Sequence, residues 1–211
     1  QVIMNTWHGT PLKSLGKHMN NGLRDLGNVQ SQFLACDYLL YPNMYTKAKM
    51  FDAFQLNELF QQKALVSGYP CNSIFFDRTY EKQLRAALGL QGKKVVVYMP
   101  TWRGQSTAAM DRSYQATMKE ILSDIDEQID NETVLFVKMH NLASRAIGLT
   151  GYKHIRPFPD NLEIYYFLNI ADILITDYSS VLFDFANTRK EIILFSYDEE
   201  EYVTWHVYGP V

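Results

Sequence analysis

The feature that most constrains the fold is the alternation of strand-like and helix-like segments after about residue 80. Lys93–Met99 is a continuous β-branched run, which is typical of a strand buried on both faces. Ser113–Ile129 then places apolar residues at helical spacing, with acidic residues on the opposite face. This alternation predicts a parallel sheet with helices on both sides. The predicted strands are Lys93–Met99, Thr133–Met139, His154–Arg156, Ala171–Thr176 and Glu191–Phe195, and the predicted helices are Ser113–Ile129, Asn161–Asn169 and Val181–Thr188.

Residues 1–75 alternate in the same way but less regularly, which predicts a second open α/β lobe. We place the boundary after residue 78, so that 1–78 is the C-terminal part of a first lobe and 79–211 a second, ligand-binding lobe. The chain opens in the middle of a strand without an initiator Met, which indicates that the first lobe is incomplete. The predicted strands here are Val2–Thr6, Tyr38–Tyr41 and Ala64–Ser67, and the predicted helices are Val29–Leu34 and Thr46–Phe54.

Composition excludes several classes of function. A net charge of −3 gives no overall attraction to nucleic acid or to an anionic membrane, so anion binding must be local. Cys36 and Cys71 are too few for a disulfide framework, which favours a reducing, cytoplasmic environment. The sequence has no metal-binding Cys/His spacing, no Walker loop and no G-x-G-x-x-G, so we predict neither a metal site nor a cofactor.

Chemically capable side chains follow the predicted strands. In open parallel sheets, ligands bind at the carboxyl ends of the strands, so these residues are expected at one sheet edge in each lobe. Together these residue types are the ones expected in a phosphate-binding site that also has an acid–base residue. They are His8 after the first strand, Arg103 after Lys93–Met99, Lys138 and His140 at the end of Thr133–Met139, and Asp177, Ser179 and Ser180 after Ala171–Thr176.

The most specific of these segments is Asp177-Tyr178-Ser179-Ser180, where a strand turns into a helix. Helix N-termini offer free N–H groups to phosphate, and serine hydroxyls add donors. A plainer interpretation is that Ser179 or Ser180 only caps the helix. His8 precedes Gly9, whose missing side chain allows close approach of a ligand, and a histidine can take a proton from an alcohol at neutral pH. A histidine bonded within its own loop would give the same pattern.

Two further segments carry cationic side chains. Lys138 and His140 are two residues apart, so in an extended strand they share one face and could reach one anionic group. A solvent-facing polar pair would look the same. Arg103 follows a tryptophan at a strand end and suits bidentate phosphate recognition, although exposed arginines are common on loops.

In this order the segments resemble one family, the CDP-glycerol:poly(glycerophosphate) glycerophosphotransferases, which are the teichoic acid primases and polymerases of Gram-positive bacteria. The resemblance spans nearly the whole chain, and its first and last segments are the most specific. It rests on Asn5–Lys13, Pro100–Arg103, Lys138–His140 and Thr176–Ser180, followed by Phe183-Asp184.

The resemblance implies a two-lobed GT-B fold that transfers glycerol phosphate from CDP-glycerol to a lipid-linked polyol phosphate chain and releases CMP. By that similarity His8 is the general base. His140, with Lys138, is expected to meet the donor phosphates and to help the CMP leaving group, so His8 and His140 are the expected catalytic residues. Arg103, Asp177, Ser179 and Ser180 complete the donor site. The resemblance also implies a metal-independent reaction by a peripheral protein at the inner face of the cell membrane.

Three alternatives stay open at the level of sequence. A CDP-ribitol transferase of the same family would carry the same segments. A truncated nucleotide-binding module would bind the donor without turnover. A sugar-nucleotide glycosyltransferase of the GT-B type would place a carboxylate near the ribose, and Asp184 or Glu191 could serve. Preference for CDP over UDP would separate this last class from the first.

Overall fold

Two parallel sheets organise the chain in a computed structural model that describes residues 1–19, 22–101, 112–139 and 147–203. One sheet belongs to a first unit formed by Gln1–Ser73 and the C-terminal segment from Tyr197, and the other to a second unit, Ile74–Ser196. This division lies a few residues before the predicted lobe boundary. The α/β class with open parallel sheets is confirmed, whereas the functional assignment of each lobe stays a prediction.

The first unit contains a three-stranded parallel sheet in the order β1-β2-β3. Its apolar core includes Phe33, Met50 and Phe54. Gly16 has a left-handed φ of 52°, and a Cβ there would lie 2.2 Å from the carbonyl oxygen of Ala53, so only glycine fits. The elements are β1 (Met4–Asn5), α1 (Gly22–Leu34), β2 (Tyr38–Tyr41), α2 (Met44–Ala53) and β3 (Lys63–Val66), with a 3-10 turn at Gly16–His18.

The second unit contains a five-stranded parallel sheet in the order β6-β5-β4-β7-β8. Its strands are β4 (Lys94–Met99), β5 (Thr133–Val137), β6 (Ile155–Pro157), β7 (Ile173–Thr176) and β8 (Glu191–Leu194). The helices are α3 (Arg78–Ala87), α4 (Arg112–Gln128), α5 (Ile164–Leu168) and α6 (Val181–Phe185), and a 3-10 turn at Ala186–Thr188 continues α6.

Both faces of the second sheet are covered, as the β-branched run predicts. Val95 and Val97 belong to one buried apolar cluster, and Val96 and Tyr98 belong to another. Successive side chains of a strand point to opposite faces, so β4 contributes to a core on each side. The second unit is therefore a sheet between two helical layers.

Two helices of the structure have no counterpart among the predicted elements. The predicted lobe boundary lies at the start of α3. This helix begins after Asp77, whose carboxylate accepts hydrogen bonds from the N–H groups of Thr79 and Tyr80. A short helix near the end of the described residues, α7 (Glu199–Val203), takes up most of an acidic run. Over the described ranges, no helix is long and apolar enough to cross a membrane.

Polar contacts fix the amino ends of strands in the second unit. Arg85 of α3 donates to Asp172 Oδ1 at 2.7 Å and to the carbonyl oxygen of Lys93 at 3.0 Å, so it joins the starts of β7 and β4. Asp126 of α4 accepts hydrogen bonds from the N–H groups of Lys153, His154 and Ile155 at 2.7–3.2 Å. These contacts fix the positions of strands whose following loops carry the candidate site residues.

Candidate functional site

The sheet order of the second unit creates a topological switch point between β4 and β7. From β4 the chain continues to β5 and β6 on one side, and it then crosses back to β7 and β8 on the other. Loops leaving neighbouring strands at such a point diverge and leave a crevice at the carboxyl edge of the sheet. The residues at this point are Thr101 after β4 and Asp177, Ser179 and Ser180 after β7.

Asp177 links the two loops across the switch point. Its buried carboxylate oxygen Oδ1 accepts hydrogen bonds from the N–H of Thr101 at 2.8 Å, the hydroxyl of Thr101 at 2.6 Å and the N–H of Tyr178 at 2.6 Å. A carboxylate so bonded is a fixed negative charge, which would repel phosphate at contact distance. Asp177 is therefore arranged to hold the loops, and Thr101, absent from the sequence-based site, is its partner.

Ser179 and Ser180 precede α6 as predicted, but they cap it weakly. The N–H of Val181 donates to Ser179 Oγ at 3.4 Å, a long contact, and Ser180 at the N-cap position makes no side-chain capping bond. Capping alone therefore does not account for the two hydroxyls. The predicted helical span Val181–Thr188 consists of a five-residue α-helix and a 3-10 turn. The dipole of so short an α-helix offers little to a phosphate, so the proposal depends more on the serine side chains.

Lys138 lies just beyond β5, because that strand ends at Val137 rather than at Met139. Its N–H donates to the carbonyl oxygen of Tyr98 at 2.9 Å, which continues the β4–β5 ladder by one bond. Its Nζ lies 4.9 Å from the centroid of the Phe158 ring, within cation–π range. Lys138 thus brings a positive charge to the same carboxyl edge of the sheet.

His8 follows β1 of the first unit and is exposed to solvent. Trp7 before it has a φ of 55°, and the rings of Trp7 and His8 have centroids 4.1 Å apart at an interplanar angle of 30°. Gly9 after it is buried with a φ of 140°, a value that favours glycine, as expected from the need for close approach. The loop therefore presents an accessible imidazole on a constrained backbone.

His140 and Arg103 lie outside the described residues, and so does the expected common face of Lys138 and His140. These three expectations stay predictions. Among the described residues, no cluster of His, Cys, Asp or Glu could hold a metal ion.

The carboxylates proposed for a sugar-nucleotide enzyme are less well placed. Glu191 is the first residue of β8, so it lies at the amino edge of the sheet, opposite the ligand edge. Asp184 is buried, and its Oδ2 accepts a hydrogen bond from the hydroxyl of Tyr165 at 3.0 Å. Neither carboxylate is an open acceptor for a ribose at the switch point.

The shifted pKa values of the second unit belong to contacts at the amino edge. Burial lowers the pKa of Lys190, against the opposing charges of Glu81 and Asp172. Partial burial of Asp126 is outweighed by hydrogen bonds from the three backbone N–H groups that precede and begin β6, which lower its pKa. These groups stabilise the sheet rather than the candidate site.

Comparison with known proteins identifies the family. A sequence model described as CDP-Glycerol:Poly(glycerophosphate) glycerophosphotransferase matches residues 1–206. This chain belongs to that family. It is 36% identical over 214 residues to a teichoic acid poly(glycerol phosphate) polymerase of Bacillus spizizenii, covering 95% of this chain and 53% of that protein. A teichoic acid glycerol-phosphate transferase of Staphylococcus aureus is 32% identical, over 95% of this chain and 54% of its own length.

Solved structures agree with the family. The wall teichoic acid polymerase TagF superposes with a TM-score of 0.79 at 30% identity, over 96% of this chain and 51% of the TagF chain. A TagF variant has also been solved after a soak with CDPG. A UDP-N-acetylglucosamine 2-epimerase of Listeria monocytogenes, at 15% identity and a TM-score of 0.53, shares the fold alone. The fold is thus of the GT-B type, and the chain spans about half the length of these relatives.

Ribitol-phosphate polymerases are more distant relatives. Two teichoic acid ribitol-phosphate polymerases of S. aureus match at 25% and 26% identity over 97% of this chain. The chain is thus more similar to the glycerol-phosphate enzymes above than to these two.

Proposed function

We propose that this chain carries the donor site and the general base of a transferase that moves glycerol phosphate from CDP-glycerol to a teichoic-acid-type polyol phosphate chain and releases CMP. The observation that carries the proposal is the family match over residues 1–206. The switch-point geometry supports it independently, because Ser179, Ser180 and Lys138 bring two hydroxyl donors and one positive charge to the carboxyl edge of the sheet.

The reaction exchanges one P–O bond for another. The terminal hydroxyl of the acceptor attacks the β-phosphorus of CDP-glycerol, and the bond from that phosphorus to CMP breaks with its electrons leaving on CMP. His8 accepts the hydroxyl proton, since an exposed imidazole is a base that works at neutral pH. Such a base typically contributes about 10²–10⁴-fold to the rate.

The donor diphosphate is held by the second unit. Ser179 and Ser180 donate their hydroxyl protons to phosphate oxygens, and Lys138 neutralises developing charge on the departing phosphate. Asp177 acts through Thr101 and Tyr178, whose N–H groups it holds, rather than by touching phosphate. His140 and Arg103 keep the parts that the family resemblance gives them, in assisting the CMP leaving group and in bidentate phosphate binding.

Glycerol is proposed as the transferred polyol in preference to ribitol, because the more similar relatives are glycerol-phosphate enzymes. The acceptor is proposed to be a lipid-linked polyol phosphate, as in the family. We place the reaction at the inner face of the cell membrane, with the protein bound peripherally.

Calorimetric titration with CDP-glycerol, CDP-ribitol, CDP and UDP tests the donor site. We expect binding that prefers cytidine to uridine and that weakens about tenfold or more in Ser179→Ala/Ser180→Ala, because charge-assisted bonds to phosphate are lost. Ser123→Ala, an exposed serine of α4, is the matched control and should bind as wild type does.

Absence of cytidine diphosphate binding by a chain whose circular dichroism shows a folded α/β protein would overturn the donor-site proposal. Binding of CDP-glycerol without transfer to a polyol phosphate acceptor would identify a nucleotide-binding module instead. Equal use of CDP-ribitol would remove the assignment to glycerol.

A further inference from the structure

The backbone of Trp7 is unusual for its residue type. Its φ of 55° lies in the left-handed region, which bulky side chains rarely adopt. Only Trp7, Gln55 and Arg189 have a positive φ among the described residues other than glycine. A strained residue beside a reactive group is a recurrent device of functional sites, because the surrounding structure must hold it in place.

Local contacts hold Trp7 in this conformation. Its N–H donates to Asn5 Oδ1 at 2.7 Å, and its carbonyl oxygen accepts a hydrogen bond from the hydroxyl of Thr6 at 3.2 Å. Its indole ring packs against the rings of Phe33 and Phe54, with centroids 5.5 and 5.7 Å away. The indole of Trp7 is thus anchored in the apolar core of the first unit.

The same indole also contacts His8. The two ring centroids are 4.1 Å apart at 30°, a nearly stacked arrangement between consecutive residues. Consecutive side chains in an extended segment would point to opposite faces, so the left-handed φ of Trp7 is what brings the rings together. An exposed histidine without such a contact would sample several rotamers.

We propose that Trp7 is a positioning residue for His8, in that it joins the imidazole to the apolar core and limits the directions in which it can accept the acceptor proton. This inference rests on the proposed function, since it gives His8 the part of general base. In this proposal Trp7 acts only through the imidazole and exchanges no proton itself. Misplacing a catalytic group by about 1 Å can cost about 10²-fold in rate.

The test compares Trp7→Phe with Trp7→Leu in the whole chain. The phenyl ring can still face the imidazole and reach the core, whereas leucine fills part of the core without a flat surface. We expect Trp7→Leu to lower kcat about 10–100-fold with KM for CDP-glycerol unchanged within about twofold, and Trp7→Phe to keep most of the activity. Phe60→Leu is the matched control, because it removes a ring from the same core cluster without a ring contact to Trp7 or His8.

Proton NMR provides a readout that does not need activity. The His8 Cε1–H resonance, assigned by its loss in His8→Gln, is expected to be shifted by the indole ring current in wild type. It should return toward the position of a free histidine in Trp7→Leu and keep part of the shift in Trp7→Phe. Phe60→Leu should leave it in place.

An unshifted His8 resonance in wild type, or a Trp7→Leu variant no slower than Phe60→Leu, would overturn the inference. If wild type transfers from neither CDP-glycerol nor CDP-ribitol, the proposed function fails, and the resonance alone then decides whether Trp7 fixes His8. The two failures are therefore distinguishable.

Discussion

The two loops that carry candidate functional groups are built in opposite ways. The His8 loop of the first unit is exposed, follows a two-residue strand and has left-handed φ values of 55° and 140° at Trp7 and Gly9. The Asp177 loop of the second unit follows a strand paired on both sides. It is partly buried, and the buried carboxylate of Asp177, with three hydrogen bonds, fixes it. The conformation of the His8 loop depends on a strained backbone and aromatic packing, whereas that of the Asp177 loop depends on hydrogen bonds to a carboxylate.

The difference is consistent with the parts proposed for the two loops. A base must reach a substrate hydroxyl, so its side chain stays in solvent and can be held only from one side. A phosphate cradle needs several donors at fixed distances, and buried hydrogen bonds hold backbone more rigidly than surface contacts do. Substitution of His8 should therefore act mainly on rate, and substitution of Asp177 mainly on stability and donor binding.

The largest expected effect is on rate, from His8→Gln. We expect transfer to fall about 10²–10⁴-fold, because the general base is lost, while calorimetric affinity for CDP-glycerol changes less than about twofold. The measurement is single-turnover transfer from CDP-glycerol with titration of the donor in parallel. A loss of donor affinity as large as the loss of rate would mean that the first loop also binds the donor.

The next effect is on stability, from Asp177→Ala. Removal of the carboxylate takes the acceptor Asp177 Oδ1 away from the partly buried N–H groups of Thr101 and Tyr178, which is expected to cost about 2–4 kcal/mol of unfolding free energy. Urea denaturation measures it, and donor affinity should fall with it. Asp184→Asn, which keeps the size of another buried carboxyl, is the comparison variant. An unchanged urea midpoint would show that the two loops are held by other contacts.

A smaller effect is expected for Gly9→Ala. An alanine at a φ of 140° is strained, which is expected to cost about 1–2 kcal/mol of unfolding free energy and to move the neighbouring His8. Gly27→Ala is the control, because a Cβ there meets no atom within 4 Å and the residue lies inside α1. If both variants unfold at the same urea concentration, the His8 loop is not strained as its backbone indicates.

The smallest effect is on the pH dependence of the unfolding free energy, to which one aspartate in each unit is expected to contribute differently. Hydrogen bonds from backbone N–H groups outweigh partial burial and hold the pKa of Asp126 in the second unit below its usual range. The contribution of Asp126 to the free energy of unfolding is therefore present above the pKa of an unfolded aspartate, about 3.9, and is lost as pH falls through the lower pKa of the folded state.

The pKa of Asp52 in the first unit is also lowered, first by its hydrogen bonds to Lys17 and His18, but these are exposed and screened by salt. In urea titrations between pH 7 and pH 3, Asp126→Asn should lose less stability than wild type does. The stability that Asp52→Asn loses over this pH range should be closer to the wild-type loss than that of Asp126→Asn is, and it should differ from wild type only at low salt. Equal responses of the two variants would contradict this order.

The sequence by itself determined the class of fold and the order of most elements, because buried parallel strands and amphipathic helices leave local periodic patterns. The β-branched run at Lys93–Met99 and the alternation that follows it predicted the second sheet, and Tyr38–Tyr41 and β4 were placed within one residue of their bounds. The predicted site residues His8, Lys138, Asp177, Ser179 and Ser180 all lie in loops after strands, since that rule depends only on chain order.

Only the tertiary structure decided how those residues are held. The bonds from Thr101 to Asp177 and from Ile155 to Asp126 join residues far apart in sequence, and no local pattern encodes such partners. The close contact between the rings of Trp7 and His8 depends on the left-handed φ of Trp7. This φ cannot be predicted from a tryptophan in the sequence, because packing against Phe33 and Phe54 maintains it. Local sequence thus fixes which groups reach the sheet edge, and non-local packing fixes their direction.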